Sequence, residues 1–149
     1  MMKTNLYFAY GMNTNLGSMN DRCPGAECLG PAILPKHRFR FAVHADVVPD
    51  PDQFVDGVLW RITSDHMASL DILEGYPWYY DRKLVTVIND HGAHQALTYF
   101  MQPGNPDENP PRVYLDMCLT GYRQNHVPTH QIRDLIIQYQ QQGYTYEKY

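Results

Sequence analysis

No run of apolar residues in this chain approaches the roughly 20 needed to span a bilayer, and its start has no basic region followed by an apolar signal segment. The expectation is a cytoplasmic protein with no membrane partner. Positive charge is scarce: 12 Lys and Arg against 16 Asp and Glu leave a formal charge of −4. A nucleic-acid partner held through phosphates needs a basic face, so that class is excluded. The local cluster Lys36-His37-Arg38-Phe39-Arg40 does not change this, because strand alternation sets Arg38 and Arg40 together on a solvated face. Cysteine is sparse and odd in number. Cys23, Cys28 and Cys118 form no Cys-x-x-Cys pair, which excludes a disulfide framework and a zinc knuckle; they read as reduced thiols, Cys118 packed on the apolar face of a helix. Of seven histidines, His91 and His94 have a ligand-like spacing, but they fall in a hairpin turn without a third ligand, and no metal site is assigned. There is no Gly-Lys-Ser/Thr phosphate loop, no internal repeat and no heptad pattern that would reveal an oligomeric state.

What the chain does have is 149 residues at 44% hydrophobic content, the size of one domain, 1–149, with a real core. Asn5 to Tyr10 is aromatic-rich and reads as a buried strand stopped by Gly11 and a polar turn. Cys28 to Leu34 is a second strand, and Phe39, Phe41 and Val43 alternate with Arg38, Arg40 and His44 as a half-exposed third. Val47 to Phe54 reads as a proline and aspartate loop, and Val55 to Ile62 as a strand in which Gly57 marks a bulge or a close backbone approach. Ser64 is the expected cap of a helix that carries Met67, Leu70 and Leu73 and ends at Gly75. Lys83 to Asn89 and Gln95 to Met101 form a hairpin across Asp90-His91-Gly92-Ala93. Four prolines keep 102–111 irregular. Val113, Tyr114, Met117, Cys118 and Tyr122 share one helix face; Thr129 caps a second helix with Ile132, Leu135, Ile136 and Tyr139 inward, and 140–149 reads as a frayed tail.

Two places carry chemistry. Glu74 closes a helix at Gly75, where unpaired carbonyls and the helix dipole disfavour an anion, and it borders the aromatic residues Tyr76, Trp78, Tyr79 and Tyr80, whose packing would desolvate it. Both effects raise a carboxyl pKa toward the range useful for general acid/base work; position alone is more often that of an ordinary exposed glutamate. The aromatic run suits a small-molecule or sugar pocket as well as it suits a core. The second place is Tyr7-Phe8-Ala9-Tyr10-Gly11-Met12-Asn13, a strand end and glycine turn whose N–H groups can form a nest for an anion or a developing oxyanion, or simply a tight turn.

Taken with Arg22-Cys23-Pro24-Gly25-Ala26, Leu29-Gly30, Gly57-Val58-Leu59-Trp60, Leu70-Asp71 with Glu74-Gly75-Tyr76-Pro77 and Tyr80, and Tyr114 with Gly121-Tyr122, these runs resemble the gamma-glutamylcyclotransferase-like superfamily, which includes the AIG2-like plant proteins. The resemblance implies an α+β fold with a small mixed, barrel-like sheet flanked by helices. It also implies a catalytic glutamate at Glu74 and a substrate site formed by Tyr10, Gly11, Met12 and Asn13 with Tyr80 and Tyr114. Met12 stands where the family usually has serine, which removes a hydroxyl and leaves the backbone N–H groups. The implied activity converts a γ-glutamyl amide to 5-oxoproline without a cofactor. A non-catalytic binding module on the same fold, and a related transferase or hydrolase, are the alternatives.

Overall fold

The aromatic N-terminal run forms β1 (Thr4–Ala9) in a computed structural model that describes residues 4–142, with Tyr7, Phe8 and Ala9 at the centre of the core. β1 pairs antiparallel with β3 (His44–Thr63), β3 with β2 (Glu27–Ala42), β2 with β4 (Tyr80–Asn89) and β4 with β5 (Gly92–Met101). Tyr7 of β1 then meets Leu97 of β5 in parallel, which closes the barrel in the order β1-β3-β2-β4-β5. Closure removes the free edges on which sheets aggregate. With helices α1 (Leu16–Arg22), α2 (Ser64–Glu74), α3 (Arg112–Gln124) and α4 (His130–Gln141), this is the mixed barrel-like α+β fold the sequence motifs imply. No helix among the described residues is long and apolar enough to cross a membrane.

Gly57 of β3 packs directly against the end of β1. A Cβ there would lie 2.4 Å from the Ala9 carbonyl oxygen and 2.5 Å from Phe8 Cζ, so the strand tolerates only hydrogen at this point. Close approach, the second of the two sequence readings, is the operative one.

Four expectations are corrected. The stretch from Val47 to Phe54 is part of β3, because Val47 and Val48 pair with Phe39 and Arg38; the turn-forming residues instead make a bulge in which residues 50–53 oppose Lys36 alone. The Asp50 side chain accepts the Asp52 N–H inside that bulge, which is the local chemistry the loop composition encodes. The cap of α2 is Thr63, one residue before Ser64, and its hydroxyl accepts the His66 N–H while His66 Nδ1 accepts the Thr63 N–H. On α3, Val113 is 72% exposed; the inward face is Tyr114, Leu115, Cys118, Gly121 and Tyr122. Arg40 does not share a solvated face with Arg38: it turns inward onto Asp46, at 2.8 Å. Of the tail, 143–149 lies outside the described residues.

Candidate active site

At the end of β1 the chain enters a 3-10 turn, Met12–Thr14, in which nearly every carbonyl is drawn into the body of the protein. The Tyr10 carbonyl accepts the Tyr122 hydroxyl at 2.6 Å, the Gly11 carbonyl accepts the Thr14 N–H and hydroxyl, and the Met12 carbonyl accepts the Asn15 N–H. Trp60 Nε1 donates to the Asn13 carbonyl at 3.1 Å and Asn125 Nδ2 to that of Thr14 at 2.7 Å. Asn15 accepts the Ser18 N–H and so starts α1 directly after the turn. The turn is therefore held from β3, from α3 and from the residue after α3. Gly11 is required within it, since a Cβ would sit 2.9 Å from the Tyr114 hydroxyl oxygen and 3.0 Å from Ala45 Cβ.

This turn faces the end of α2 across a cavity of about 150 Å³, several times the space one water occupies. The sequence-predicted residues Tyr10, Gly11, Met12, Asn13, Glu74, Tyr80 and Tyr114 all line it. Glu74 is the last residue of α2, which Gly75 stops with a left-handed φ of 64° that suits glycine. Glu74 Oε1 accepts a hydrogen bond from Asn13 Nδ2 at 3.4 Å, and the same amide donates to the Tyr7 hydroxyl at 3.0 Å. Arg22, at the end of α1, donates through Nη1 to Asn13 Oδ1 and through Nη2 to the Met12 sulfur. The orientation of the Asn13 amide is thereby set: oxygen toward the guanidinium, nitrogen toward Glu74.

Burial pushes the Glu74 carboxyl up to about 7, and the nearby Arg22 charge opposes that rise without cancelling it. Desolvation is thus the principal cause. The rings of Tyr7, Tyr10, Tyr79, Tyr80, Tyr99 and Tyr114 line the cavity with Glu74; Trp78 is 86% exposed, and Tyr76 lies instead beneath the Arg82 guanidinium. Tyr10 and Tyr80 spend their hydroxyls on the backbone carbonyls of Tyr99 and Ala45, and the Tyr114 hydroxyl accepts the Ala45 N–H at 3.0 Å. Burial raises all three phenols well above their usual range, so they stay neutral walls. His44 also lines the cavity, stacked edge-on against Tyr79 and Tyr114, and burial lowers its pKa.

Residues 7–117 match the family described as gamma-glutamyl cyclotransferase, AIG2-like. The chain belongs to that family. No curated protein matches it. Among solved structures it resembles one described as gamma-glutamyl cyclotransferase, with a TM-score of 0.80 at 23% identity over 99% of this chain and 91% of that one. An uncharacterised protein from Homo sapiens gives a TM-score of 0.80 at 24% identity over 98% and 90% of the two chains. An AIG2-like protein from Mus musculus gives 0.58 at 18% over 69% and 80%. At these identities the likeness is one of fold.

Within this gamma-glutamyl cyclotransferase, AIG2-like chain, the cavity also takes in His44 and Arg22, to which the sequence reading gave no role in the site, although Arg22 stands in one of the matching runs. His44 follows the tight turn between two strands and carries no local pattern. Arg22 has one further clue: it ends a short helix whose cap, Asn15, directly follows the site turn. Gly121 explains how α3 comes close enough to hold that turn. A Cβ on it would lie 2.3 Å from Thr14 Oγ1 and 2.5 Å from the Asn15 nitrogen. Gly121→Ala is expected to cost about 1–3 kcal/mol of stability by overpacking, measured by urea denaturation, and to shift the backbone resonances of residues 12–15. An unperturbed turn would contradict the packing argument.

Proposed function

We propose that the chain is a cofactor-independent enzyme of the cytoplasm that cyclises a γ-glutamyl amide to 5-oxoproline and releases the amine or amino acid. The observation that carries this reading is Glu74: a carboxyl raised to about 7, in an aromatic cavity, opposite the Gly11-Met12-Asn13 turn. Such a group is ionised often enough near neutrality to take a proton and basic enough to hold it.

A γ-glutamyl amide contains its own nucleophile, but its α-amine is protonated near neutral pH. Glu74 removes one ammonium proton. The freed amine attacks the side-chain carbonyl carbon, a C–N bond forms, and negative charge moves onto the carbonyl oxygen. In a planar trans peptide the N–H points opposite to the C=O. The carbonyls of Tyr10, Gly11 and Met12 point into the protein, which supports outward-facing N–H groups on Gly11, Met12 and Asn13 as the oxyanion's donors. Glu74 then returns its proton to the departing nitrogen, the old C–N bond breaks as the ring carbonyl re-forms, and the ring nitrogen gives up its second proton, which leaves with the released amine as its ammonium. No water is consumed. Tyr10, Tyr80 and Tyr114 act through their ring faces and their grip on the backbone. Holding the chain in attack geometry contributes several kcal/mol, roughly as much as intramolecular orientation does elsewhere.

The test is release of 5-oxoproline from a panel of γ-glutamyl amines, amino acids and peptides. With an accepted substrate, kcat/KM is expected to rise with pH on a single-proton limb near the Glu74 value of about 7, because the base form acts. No cyclisation across a broad panel would sink this reading and leave a binding module; a profile flat through neutrality would remove Glu74 as the base.

A further inference from the structure

Arg22 is a half-buried arginine with no carboxylate in direct contact, its charge acting on Glu74 across Asn13. Arg40, Arg61, Arg82 and Arg112 each have a carboxylate oxygen within 3.6 Å, and Arg38, Arg123 and Arg133 are exposed to water. Among the described residues no carboxylate comes within 4.0 Å of Arg22. Its guanidinium faces the same cavity as Glu74 and spends two donors on neutral partners, the Asn13 amide oxygen and the Met12 thioether. A thioether is a weak acceptor, and a guanidinium has five N–H donors in a planar fork suited to a carboxylate. Charge and hydrogen-bonding capacity are therefore both left over, and both point into the cavity.

We propose that Arg22 is the carboxylate-recognition residue of this site and binds the α-carboxylate of the γ-glutamyl group. The proposal rests on the cyclotransferase reading for the identity of the ligand. The geometry selects the α-carboxylate over a carboxylate on the leaving group. Glu74 and Arg22 bind the two ends of one carboxamide, that of Asn13, so an acceptor and a cation lie side by side across a single small group. An amino-acid head has the complementary form: an ammonium for Glu74 and, on the same carbon, a carboxylate for Arg22. The leaving group departs from the far end of the side chain, three carbons away. Met12 takes part in specificity through its sulfur, since it seats the guanidinium without neutralising it.

Binding, not turnover, tests this. Titration of the full chain with 5-oxo-L-proline, with 5-oxoprolinamide and with 2-pyrrolidinone, followed by NMR, is expected to show the carboxylate ligand binding about 10- to 100-fold more tightly than the other two, the scale of a charge-assisted hydrogen-bonded pair. The Arg22 Nε–H resonance is expected to move with 5-oxo-L-proline and to stay still with the amide. Arg22→Gln should bring the three ligands to similar affinity, Arg22→Lys should keep part of the preference, and Arg61→Gln, at an exposed ion pair, should change nothing. Equal wild-type affinities, an unmoved Arg22 resonance, or a preference that survives in Arg22→Gln overturns the proposal, and the first two readouts need no variant to fold. A chain that binds 5-oxo-L-proline through Arg22 yet cyclises nothing would refute the catalytic reading and leave this one standing.

Discussion

Glu74→Gln is expected to lower kcat/KM for 5-oxoproline release by about 10²–10⁴-fold, the usual contribution of a positioned general acid/base, while the protein remains folded. Glutamine keeps the size and accepts the same Asn13 hydrogen bond through its carbonyl oxygen, but it neither takes nor returns a proton. The same substitution is expected to change stability in a pH-dependent direction. The folded-state carboxyl is raised from an ordinary 4.5 to about 7, so between those values the folded protein holds a proton that the unfolded chain has lost. The stabilisation is fully present below about 4.5 and is lost as pH climbs to about 7, after which the deficit is constant. Relative to wild type, Glu74→Gln should therefore gain stability across that window, by about 3 kcal/mol at pH 8, the scale of the shift. Urea denaturation of both proteins at acid and alkaline pH measures it. A variant that turns over normally removes Glu74 from the chemistry, and one whose stability tracks wild type at every pH removes burial as the cause of the raised pKa.

The two ends of the site were legible because each depends on a few consecutive residues. Tyr10-Gly11-Met12-Asn13 is a strand running into a turn, and Glu74-Gly75 is a helix running into its stop; both appear where local chemistry places them. The direction of the Glu74 shift was readable too, but not all of the rings that share its cavity. Tyr7 and Tyr99 are 67 and 25 residues from Glu74 in sequence and reach it only because β1 and β5 join to close the barrel. The roles of Arg22 and His44 were hidden for the same reason, although Arg22 stood in a matching run: their importance comes from what the folded chain sets beside them. The loop expected at Val47 to Phe54 failed in an instructive way. Its prolines and aspartates do form a turn, yet cross-strand pairing of Val47 and Val48 with Phe39 and Arg38 carries the strand through it. Tertiary pairing outweighed local composition.

Arg40→Ala is expected to destabilise the fold by about 3–5 kcal/mol, the largest effect on stability of any substitution considered, because it strands a buried charge. Asp46 is 1% exposed. One of its carboxylate oxygens is satisfied by the N–H groups of Val47 and Met101, both at 2.8 Å, but the other has Arg40 Nε at 2.8 Å as its partner. The guanidinium also donates to the Asn105 carbonyl at 2.8 Å and to Asp107 at 2.9 Å, which ties the proline-rich stretch 102–111 onto β2 and β3. Removing it therefore costs an ion pair in the core and a tether at the surface. The consequence reaches the cavity, since Asp46 follows His44 and Ala45, and Ala45 holds the hydroxyls of both Tyr80 and Tyr114. A double-mutant cycle separates these contributions. Asp46→Asn alone should also destabilise, because its amide group faces Arg40 donor to donor, but it should cost less in the Arg40→Ala background, where there is no charge left to strand. Urea denaturation of the four proteins gives the coupling directly. A cost below about 1 kcal/mol for Arg40→Ala, the value of an exposed pair, would mean that water reaches Asp46 and that this ion pair does not hold the sheet beneath the site.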